Sequence, residues 1–461
     1  MKRTFSISLM ILVVFALLVS ACTTAETPTA EPTAAPVEQP AEQPVEEPTT
    51  EPEVAPTEAP APTEPPAAEP ITIRALIRPD EGGNVAKYAA QFEQETGNKV
   101  AVDFVGWAEI HDKTVTTLAS GGGGYDIVFI PSANVVEFAS GGWFEPIDDI
   151  IPADQRGEWL ESVLGLYTYE GSLIANPWYS GGAHMAYNKD ILTAAGVDPA
   201  TIKTWDDFMN ACKAIKDTGA AEFCFSPSAK YPGEFYYNVG SIAAAMGGEF
   251  FDAEGNPIFQ DDGMLLKAFQ LMKDGVDNGY FDPAGIALDD YETLIEFGTG
   301  KTAFLLDSTW SVTNANRNPD VSQILDKVGY ILIPGAGEQA SGGYLYAGGL
   351  GLLKTSENKE VAKQFIQYLT QQEAQKQHAT DGANMPTRVA LFTDPDIAQA
   401  WSGFETLADQ LTYGKFPPQF TWFEEWRRSL ATATQEVMSG TKTPEEAVQY
   451  LVDETNRLLV Q

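Results

Sequence analysis

Proline recurs at Pro28, Pro32, Pro36, Pro40, Pro44, Pro48, Pro52, Pro56 and Pro60, a strict four-residue spacing. Each ring fixes φ near −65° and removes a backbone donor, so neither helix nor sheet can propagate through such a stretch. Between the prolines, from Thr23 to Pro70, stand Thr, Ala and Glu, with no aromatic residue and no Lys or Arg to offset the glutamates. A segment of this kind cannot bury enough apolar surface to repay its ordering entropy, and like charges favour extended polyproline II. Residues 22–70 therefore read as a tether, able to reach on the order of 150 Å at about 3.1 Å per residue. Threonine beside proline is also the composition of O-glycosylated stalks. A globular part can begin only near Ile71.

Upstream of the tether, Lys2 and Arg3 precede an apolar run from Leu9 to Val19, and Ser20-Ala21 lead into Cys22. The run is shorter than the roughly 20 apolar residues a membrane-spanning helix needs, so residues 1–21 read as an export signal. A cysteine directly after such a run resembles the bacterial lipobox. That resemblance implies that Cys22 receives a diacylglycerol and becomes the first residue of a chain anchored to the outer face of the cell membrane. The other reading is a plain signal cut nearby.

Ile71 to Gln461 is too long for one hydrophobic core and suits two α/β lobes. The chain carries 65 acidic against 28 basic residues, a formal net charge of −37. A nucleic-acid partner is excluded on that balance, because phosphate neutralisation needs a basic face. Anionic ligands are disfavoured, though a few placed cations could overcome a diffuse field. With Cys22 assigned to lipid, Cys212 and Cys224 remain as an even pair in a chain bound for an oxidising exterior, which predicts a disulfide, two buried thiols being the alternative. His111, His184 and His378 are far apart in sequence, so no metal site is expected, nor any other cofactor.

Along the globular part, Ile71–Ile77 alternates as a strand does and breaks at Arg78-Pro79-Asp80-Glu81-Gly82-Gly83. Val85, Tyr88, Ala89 and Phe92 follow at helical spacing up to Gly97. Val100–Val105 alternates again, a second helix runs to Ser120, and Tyr125–Ile130 is a third strand. Strand, helix, strand, helix, strand argues for a parallel sheet with ligands bound beyond the carboxyl ends of its strands, at the loops 79–83 and 131–134.

The segments Asn98-Lys99-Val100-Ala101-Val102, Tyr125-Asp126-Ile127-Val128 and Gly141-Gly142-Trp143-Phe144-Glu145-Pro146-Ile147 resemble the opening lobe of the family 1 extracellular solute-binding proteins of ABC importers. Tyr187-Asn188-Lys189-Asp190, Thr204-Trp205-Asp206-Asp207-Phe208, Gly300-Lys301-Thr302-Ala303-Phe304, Glu357-Asn358-Lys359-Glu360 and Thr443-Pro444-Glu445-Glu446-Ala447 follow in the family's order. The resemblance implies a two-lobed periplasmic-binding-protein fold with a hinge and an interlobe ligand cleft. It implies chain crossings near Pro177–Met185, Tyr344–Gly349 and Asp381–Pro386, an N-terminal lobe of 71–180 plus 346–382, and a C-terminal lobe of 181–345 plus 383–461.

No nucleophile elbow, zinc-protease helix or dinucleotide fingerprint occurs, and Gly298-Thr299-Gly300-Lys301-Thr302 lacks the earlier glycine of a phosphate-binding loop. Aromatic residues in turn-rich contexts carry more information: Trp178 and Tyr179 before Gly181-Gly182, Trp310 after Asp307-Ser308-Thr309, Tyr344 and Tyr346 around Leu345, and Trp422 after Pro417-Pro418. Any of these could be a structural aromatic. In a cleft such rings stack on the apolar face of a pyranose while Asp, Glu, Asn and Ser take its hydroxyls. By resemblance, Trp310 matches the family's sugar-stacking tryptophan, Asp80 and Glu81 occupy a hydroxyl-binding loop, and Glu234 with Tyr236 falls in a segment that carries another stacking aromatic. Ser132 and Asn134 stand where maltose-specific relatives carry aromatic and charged residues, a departure that argues against maltose itself.

The expected protein is thus a lipid-anchored, monomeric receptor that performs no chemistry and hands a mono- or oligosaccharide to a separate ABC permease and ATPase. The ligand residues expected for it are Asp80, Glu81, Ser132, Asn134, Trp178, Tyr179, Glu234, Tyr236, Asp307, Trp310, Tyr346 and Trp422. The alternatives are a receptor for a polyamine or glycerol phosphate ester, and, more remotely, a secreted carbohydrate-active enzyme. A phosphate ligand would want clustered Arg or Lys at the lobe loops, which read as poor in both.

Overall fold

The computed structural model describes residues 69–79, 83–231 and 233–460. The signal segment, Cys22 and all of the tether but Glu69 and Pro70 lie outside them, as do Asp80 and Glu81.

Three strands open the fold: β1 (Thr72–Ile77), β2 (Lys99–Phe104) and β3 (Ile127–Pro131). β1 pairs in parallel with both β2 and β3, so the loops that follow β1 and β3 emerge at one end of the sheet. The helix Asn84–Thr96 between the first two buries Val85, Tyr88, Ala89 and Phe92 and ends where Gly97, at φ +76°, donates its N–H to Glu93 O at 2.9 Å. A left-handed cap of this kind suits glycine, which has no Cβ to clash.

After a short hairpin of β4 (Thr168–Tyr169) and β5 (Ser172–Leu173) comes β6 (Ala175–Asn188), buried along nearly its whole length. The remaining strands are β7 (Phe223–Phe225), β8 (Thr302–Ser308), β9 (Val328–Ile331) and β10 (Leu345–Leu352). The main sheet runs β2-β1-β3-β10-β6-β8-β7, with β9 also on β6. β6 serves two sets of neighbours. Its first half, Ala175–Gly182, pairs antiparallel with β10, and its second half, Ala183–Asn188, pairs with β8 and β9. The change of partner falls at Gly181-Gly182-Ala183. A Cβ on Gly181 would lie 2.3 Å from the Tyr346 ring, so the missing side chain is what lets that tyrosine cross the strand.

Helices cover the sheet. Lys359–Thr370 packs on Asn84–Thr96 through Phe365 against Phe92, ring centroids 5.4 Å apart. Phe423–Met438 pairs with Pro444–Leu459, where the Trp426 indole donates to Thr455 Oγ1 at 2.9 Å. Thr443 caps the second of these in a reciprocal box with Glu446, with Pro444 in the first turn.

Cys212, in the helix Trp205–Thr218, is bonded to Cys224 in β7, with Cα atoms 5.0 Å apart. Lys301 is an internal counter-charge: its Nζ lies 2.5 Å from Asp282 and 2.6 Å from Glu296. That pairing, and the helix Asp290–Gly298 rather than a strand ahead of it, suits a structural role.

Candidate functional site

A cavity of about 540 Å³ opens at the carboxyl ends of β1 and β3, within the ~300–1,000 Å³ typical of small-molecule sites. Arg78 reaches it from the end of β1, and Pro131 to Asn134 from the end of β3. The opposite wall comes from Lys230, Tyr231, Tyr236 and Tyr237, from Asp289 to Tyr291, from Ser308 at the end of β8 and from Trp310 just beyond it. Tyr346 and Ala347 of β10 lie between these walls, and the helix Phe423–Met438 contributes Glu424 and Arg427.

The wall beside β3 is a hydrogen-bonded row. Asn134 Nδ2 donates to Glu137 Oε2 at 3.1 Å, and His111 Nε2 lies 3.0 Å from Glu137 Oε1 while its Nδ1 lies 2.9 Å from Asp112. Burial alone would hold the imidazole neutral, but the hydrogen bonds to Glu137 and Asp112 outweigh it and push its pKa up to about 9. His111 is therefore a cation at neutral pH, matched by carboxylates on both nitrogens.

The wall beside β8 is aromatic. Ser308 caps the helix Thr309–Arg317, its hydroxyl accepting from Ser311 N at 3.1 Å, which sets Trp310 in the first turn at the cavity. Tyr291 stacks beside Trp310, ring centroids 6.4 Å apart and planes 25° apart, and is 51% exposed. The Trp310 indole N–H is buried and has no partner among the described residues.

Charges around the cavity are largely matched within it. Lys230 Nζ lies 3.0 Å from Asp289, which also caps the helix Asp290–Gly298 in a box with Glu292. Arg427 Nη1 lies 3.2 Å from Glu424 Oε2, and its guanidinium sits 4.9 Å from the Tyr236 ring centre. Tyr231 hydrogen-bonds Glu424 as well. Asp290 is pushed up to about 6, by burial first and then by Asp289, against the pull of Arg78. Asp307, fully buried in β8, is raised well above the usual carboxylate range by burial and then by Asp290.

Of the residues expected from sequence, Ser132, Asn134, Tyr236, Trp310 and Tyr346 line this cavity. Others lie elsewhere. Trp178 and Tyr179 are each 1% exposed, because Pro177–Gly182 is central strand rather than loop. Tyr179 lies parallel to Phe129 with centroids 6.1 Å apart and backs Arg78, whose guanidinium sits 5.4 Å from its ring centre. Asp307 sits beneath Ser308, its carboxylate accepting from Ser308 N, and does not line the cavity. Trp422 stacks on Phe420, centroids 5.0 Å apart, and packs against Phe251, also away from it. Asp80 and Glu81 are outside the described residues, and of Glu234 only the backbone, in the turn Gly233–Tyr236, is described.

Sequence reasoning missed Arg78, His111, Lys230, Tyr231, Asp289, Asp290, Tyr291, Glu424 and Arg427. The sequence did hold a signal for two of them: Arg78 directly follows a parallel strand, and Asp289 stands three residues before Glu292 as a capping box requires. The view that the site is poor in Arg and Lys is corrected: Arg78 and Lys230 come from loops, and the helix Phe423–Met438 adds Arg427.

The profile of the bacterial extracellular solute-binding proteins matches residues 78–376. The chain belongs to that family. Its relatives include a mannitol-binding protein of Pseudomonas aeruginosa, 26% identical over 346 residues that cover 72% of this chain and 77% of that one. A diacetylchitobiose binding protein, DasA, of Streptomyces coelicolor is 24% identical over 385 residues, 82% of this chain and 86% of that one. Among solved structures, maltose-bound MalE3 of T. maritima superposes with a TM-score of 0.77 at 22% identity, covering 84% of this chain and all of that one. A solute-binding protein of Agrobacterium vitis with bound D-mannitol gives 0.72 at 22%, covering 85% and 98%. The fold is thus the two-lobed α/β fold of periplasmic binding proteins. As a member of this extracytoplasmic family the chain is a binding protein and not an enzyme. No helix among the described residues is long and apolar enough to cross a membrane.

Proposed function

We propose that this chain is the substrate-binding component of an ABC importer, that it takes a neutral carbohydrate or polyol into the cavity, and that Cys22 anchors it by lipid to the outer face of the membrane. The observation that carries the ligand class is Trp310: an indole presented to a cavity with its N–H unpartnered, beside the exposed ring of Tyr291. Such a surface covers the apolar face of a sugar ring at little conformational cost, and leaves the hydroxyls to the polar side chains around the cavity.

The charge balance supports neutrality. Lys230 with Asp289, Arg427 with Glu424 and His111 with Glu137 are cation–carboxylate pairs. A phosphate ester or a polyamine would compete with these pairs for their charges, whereas hydroxyls can donate to the carboxylates and accept from the cations without separating them. The names of relatives point the same way, toward mannitol and diacetylchitobiose. In this reading residues 71–180 plus 346–382 and residues 181–345 plus 383–461 are the two lobes, β6 and β10 are among the segments that join them, and the tether holds a monomer near a separate permease.

A thermal-shift panel of hexoses, hexitols and di- and trisaccharides, with spermidine and glycerol 3-phosphate included, tests the ligand class. A neutral polyhydroxyl compound should raise the melting temperature. Stabilisation by spermidine or by the phosphate ester alone would overturn the assignment. For the anchor, Cys22→Ala should abolish incorporation of labelled fatty acid, and undiminished labelling would refute it.

A further inference from the structure

The helix that presents Trp310 is tied to β6 by the residue beside that tryptophan. Thr309 is 0% exposed, and its hydroxyl meets three groups of β6. Gly182 N donates to Thr309 Oγ1 at 3.1 Å, His184 Nε2 lies 2.9 Å from the same oxygen, and Gly182 O lies 3.4 Å from it.

These bonds complete the end of a strand ladder. β6 and β8 pair as far as Ala183 with Ser308, and at Thr309 the chain turns into a helix that carries its backbone carbonyl away. The next group along β6, Gly182 N–H, would be left open in a dry interior, and the Thr309 hydroxyl takes the place of the missing carbonyl. His184 closes the arrangement. It is 1% exposed and burial pushes its pKa down to about 3, so the ring is neutral. With the proton on Nε2, the hydroxyl accepts from Gly182 and His184 and donates to Gly182 O, which fills its hydrogen-bonding capacity. The other tautomer would bury a proton on Nδ1, which has no partner among the described residues.

The same dipeptide positions a second aromatic of the cavity. β10 lies on one side of β6 and β8 on the other, and Tyr346 of β10 crosses β6 at Gly181. Tyr346 and Thr309 therefore meet Gly181-Gly182 from opposite sides. Tyr346 lines the cavity itself, and Thr309 is joined by a peptide bond to Trp310, which also lines it. At the far end of the same helix Arg317 donates from Nη1 to Thr380 O at 2.9 Å and from Nη2 to Asp381 O at 2.8 Å, so the helix is held at both ends.

We propose that Thr309 is a positioning residue of the cavity: its hydroxyl, backed by His184, sets the spacing of Trp310 from Tyr346 and Tyr291 and thereby the affinity for a neutral polyhydroxyl ligand. The ligand half of this statement rests on the carbohydrate reading above. The positional half does not.

The full-length chain, with protonated tryptophan and tyrosine in a deuterated background, tests the position without any ligand. Cross-relaxation between the Trp310 indole and the Tyr291 ring should be the same in the wild type and in Thr309→Ser, which keeps the hydroxyl, and should be weakened in Thr309→Val, which keeps the shape and loses it. His184→Leu removes one of the three bonds without touching the helix and should weaken the same contact to a lesser degree, so the test survives a Thr309→Val chain that does not fold. Calorimetry with D-mannitol and D-glucose then reads affinity: the probe that binds the wild type should bind Thr309→Val at least about ten-fold more weakly and Thr309→Ser within about three-fold. The variant with both Cys212 and Cys224 replaced by serine, less stable but unaltered at the cavity, should keep wild-type affinity, which separates position from stability. The proposal is overturned if the Trp310–Tyr291 contact is unchanged in Thr309→Val and His184→Leu, if Thr309→Val binds as the wild type does, or if Thr309→Ser is impaired as much as Thr309→Val. Binding of neither probe to the wild type would count against the carbohydrate reading, while the ring contact would still decide the role of Thr309.

Discussion

Trp310 and Tyr291 stack with ring centroids 6.4 Å apart and planes 25° from parallel, although they belong to two different helices on either side of β8. The Asp289 box holds one helix start and the Ser308 cap holds the other, so two N-terminal caps fix the relative position of the rings. Local capping chemistry becomes ligand geometry in this way: the platform is rigid because its helix termini are.

Gly181 controls a second aromatic of the same cavity. A Cβ there would lie 2.3 Å from the Tyr346 ring, closer than any real contact, so Gly181→Ala should displace Tyr346. We expect weaker ligand binding with the secondary structure kept, read by calorimetry and circular dichroism. Wild-type affinity in this variant would show that the position of Tyr346 does not matter to the ligand.

The Cys212–Cys224 bond ties the helix Trp205–Thr218 to β7. Replacing both cysteines by serine should lower stability by about 2–4 kcal/mol in chemical denaturation while leaving ligand affinity near wild type, since neither lines the cavity. A variant as stable as the parent would show that the closed loop contributes nothing.

Acid acts on this fold in two opposing directions. His184, buried with Nε2 2.9 Å from Thr309 Oγ1, and His378 are both pushed down to about 3, by burial, with Arg78 adding to the effect at His378. Unfolded histidine binds protons below about 6.5, so stability falls as pH drops from there toward 3, by up to about 1.4 kcal/mol per pH unit for each ring. Asp290, pushed up to about 6, does the reverse. It is protonated in the fold before it is in the unfolded chain, so it adds stability as pH falls from about 6 to about 4. Asp290→Asn removes that contribution, and urea midpoints measured across this range should fall more steeply with acid than in the wild type. Parallel curves would mean that Asp290 titrates as an ordinary surface carboxylate.

The sheet could be read in the sequence wherever one residue pattern served one purpose. The alternation of β1 and β2 and the glycine after Thr96 gave boundaries within a residue or so of the fold. Pro177 to Gly182 misled because glycines that look like a loop are, in β6, the gaps through which Tyr346 and its neighbours pack. Trp178 and Tyr179, expected in the cleft, are core for this reason. The cavity was legible only in part, since its cations and carboxylates come from positions as distant as Arg78, Asp289 and Arg427. No local pattern marks residues that meet only after the sheet has formed. Ser132 and Asn134 are legible because they directly follow a strand of the parallel sheet, Tyr346 because it stands in a turn-rich aromatic stretch, and Trp310 and Tyr236 through the family resemblance.

The measurement that bears most directly on the function is a calorimetric titration of Trp310→Ala with whichever neutral sugar or polyol stabilises the wild type best. Removing a central aromatic anchor should cost at least about 2 kcal/mol of binding, roughly a thirty-fold rise in Kd, with the melting temperature of the ligand-free protein nearly unchanged. Affinity at the wild-type level together with a markedly less stable ligand-free protein would contradict the account, because Trp310 would then be a core residue rather than the surface on which the ligand rests.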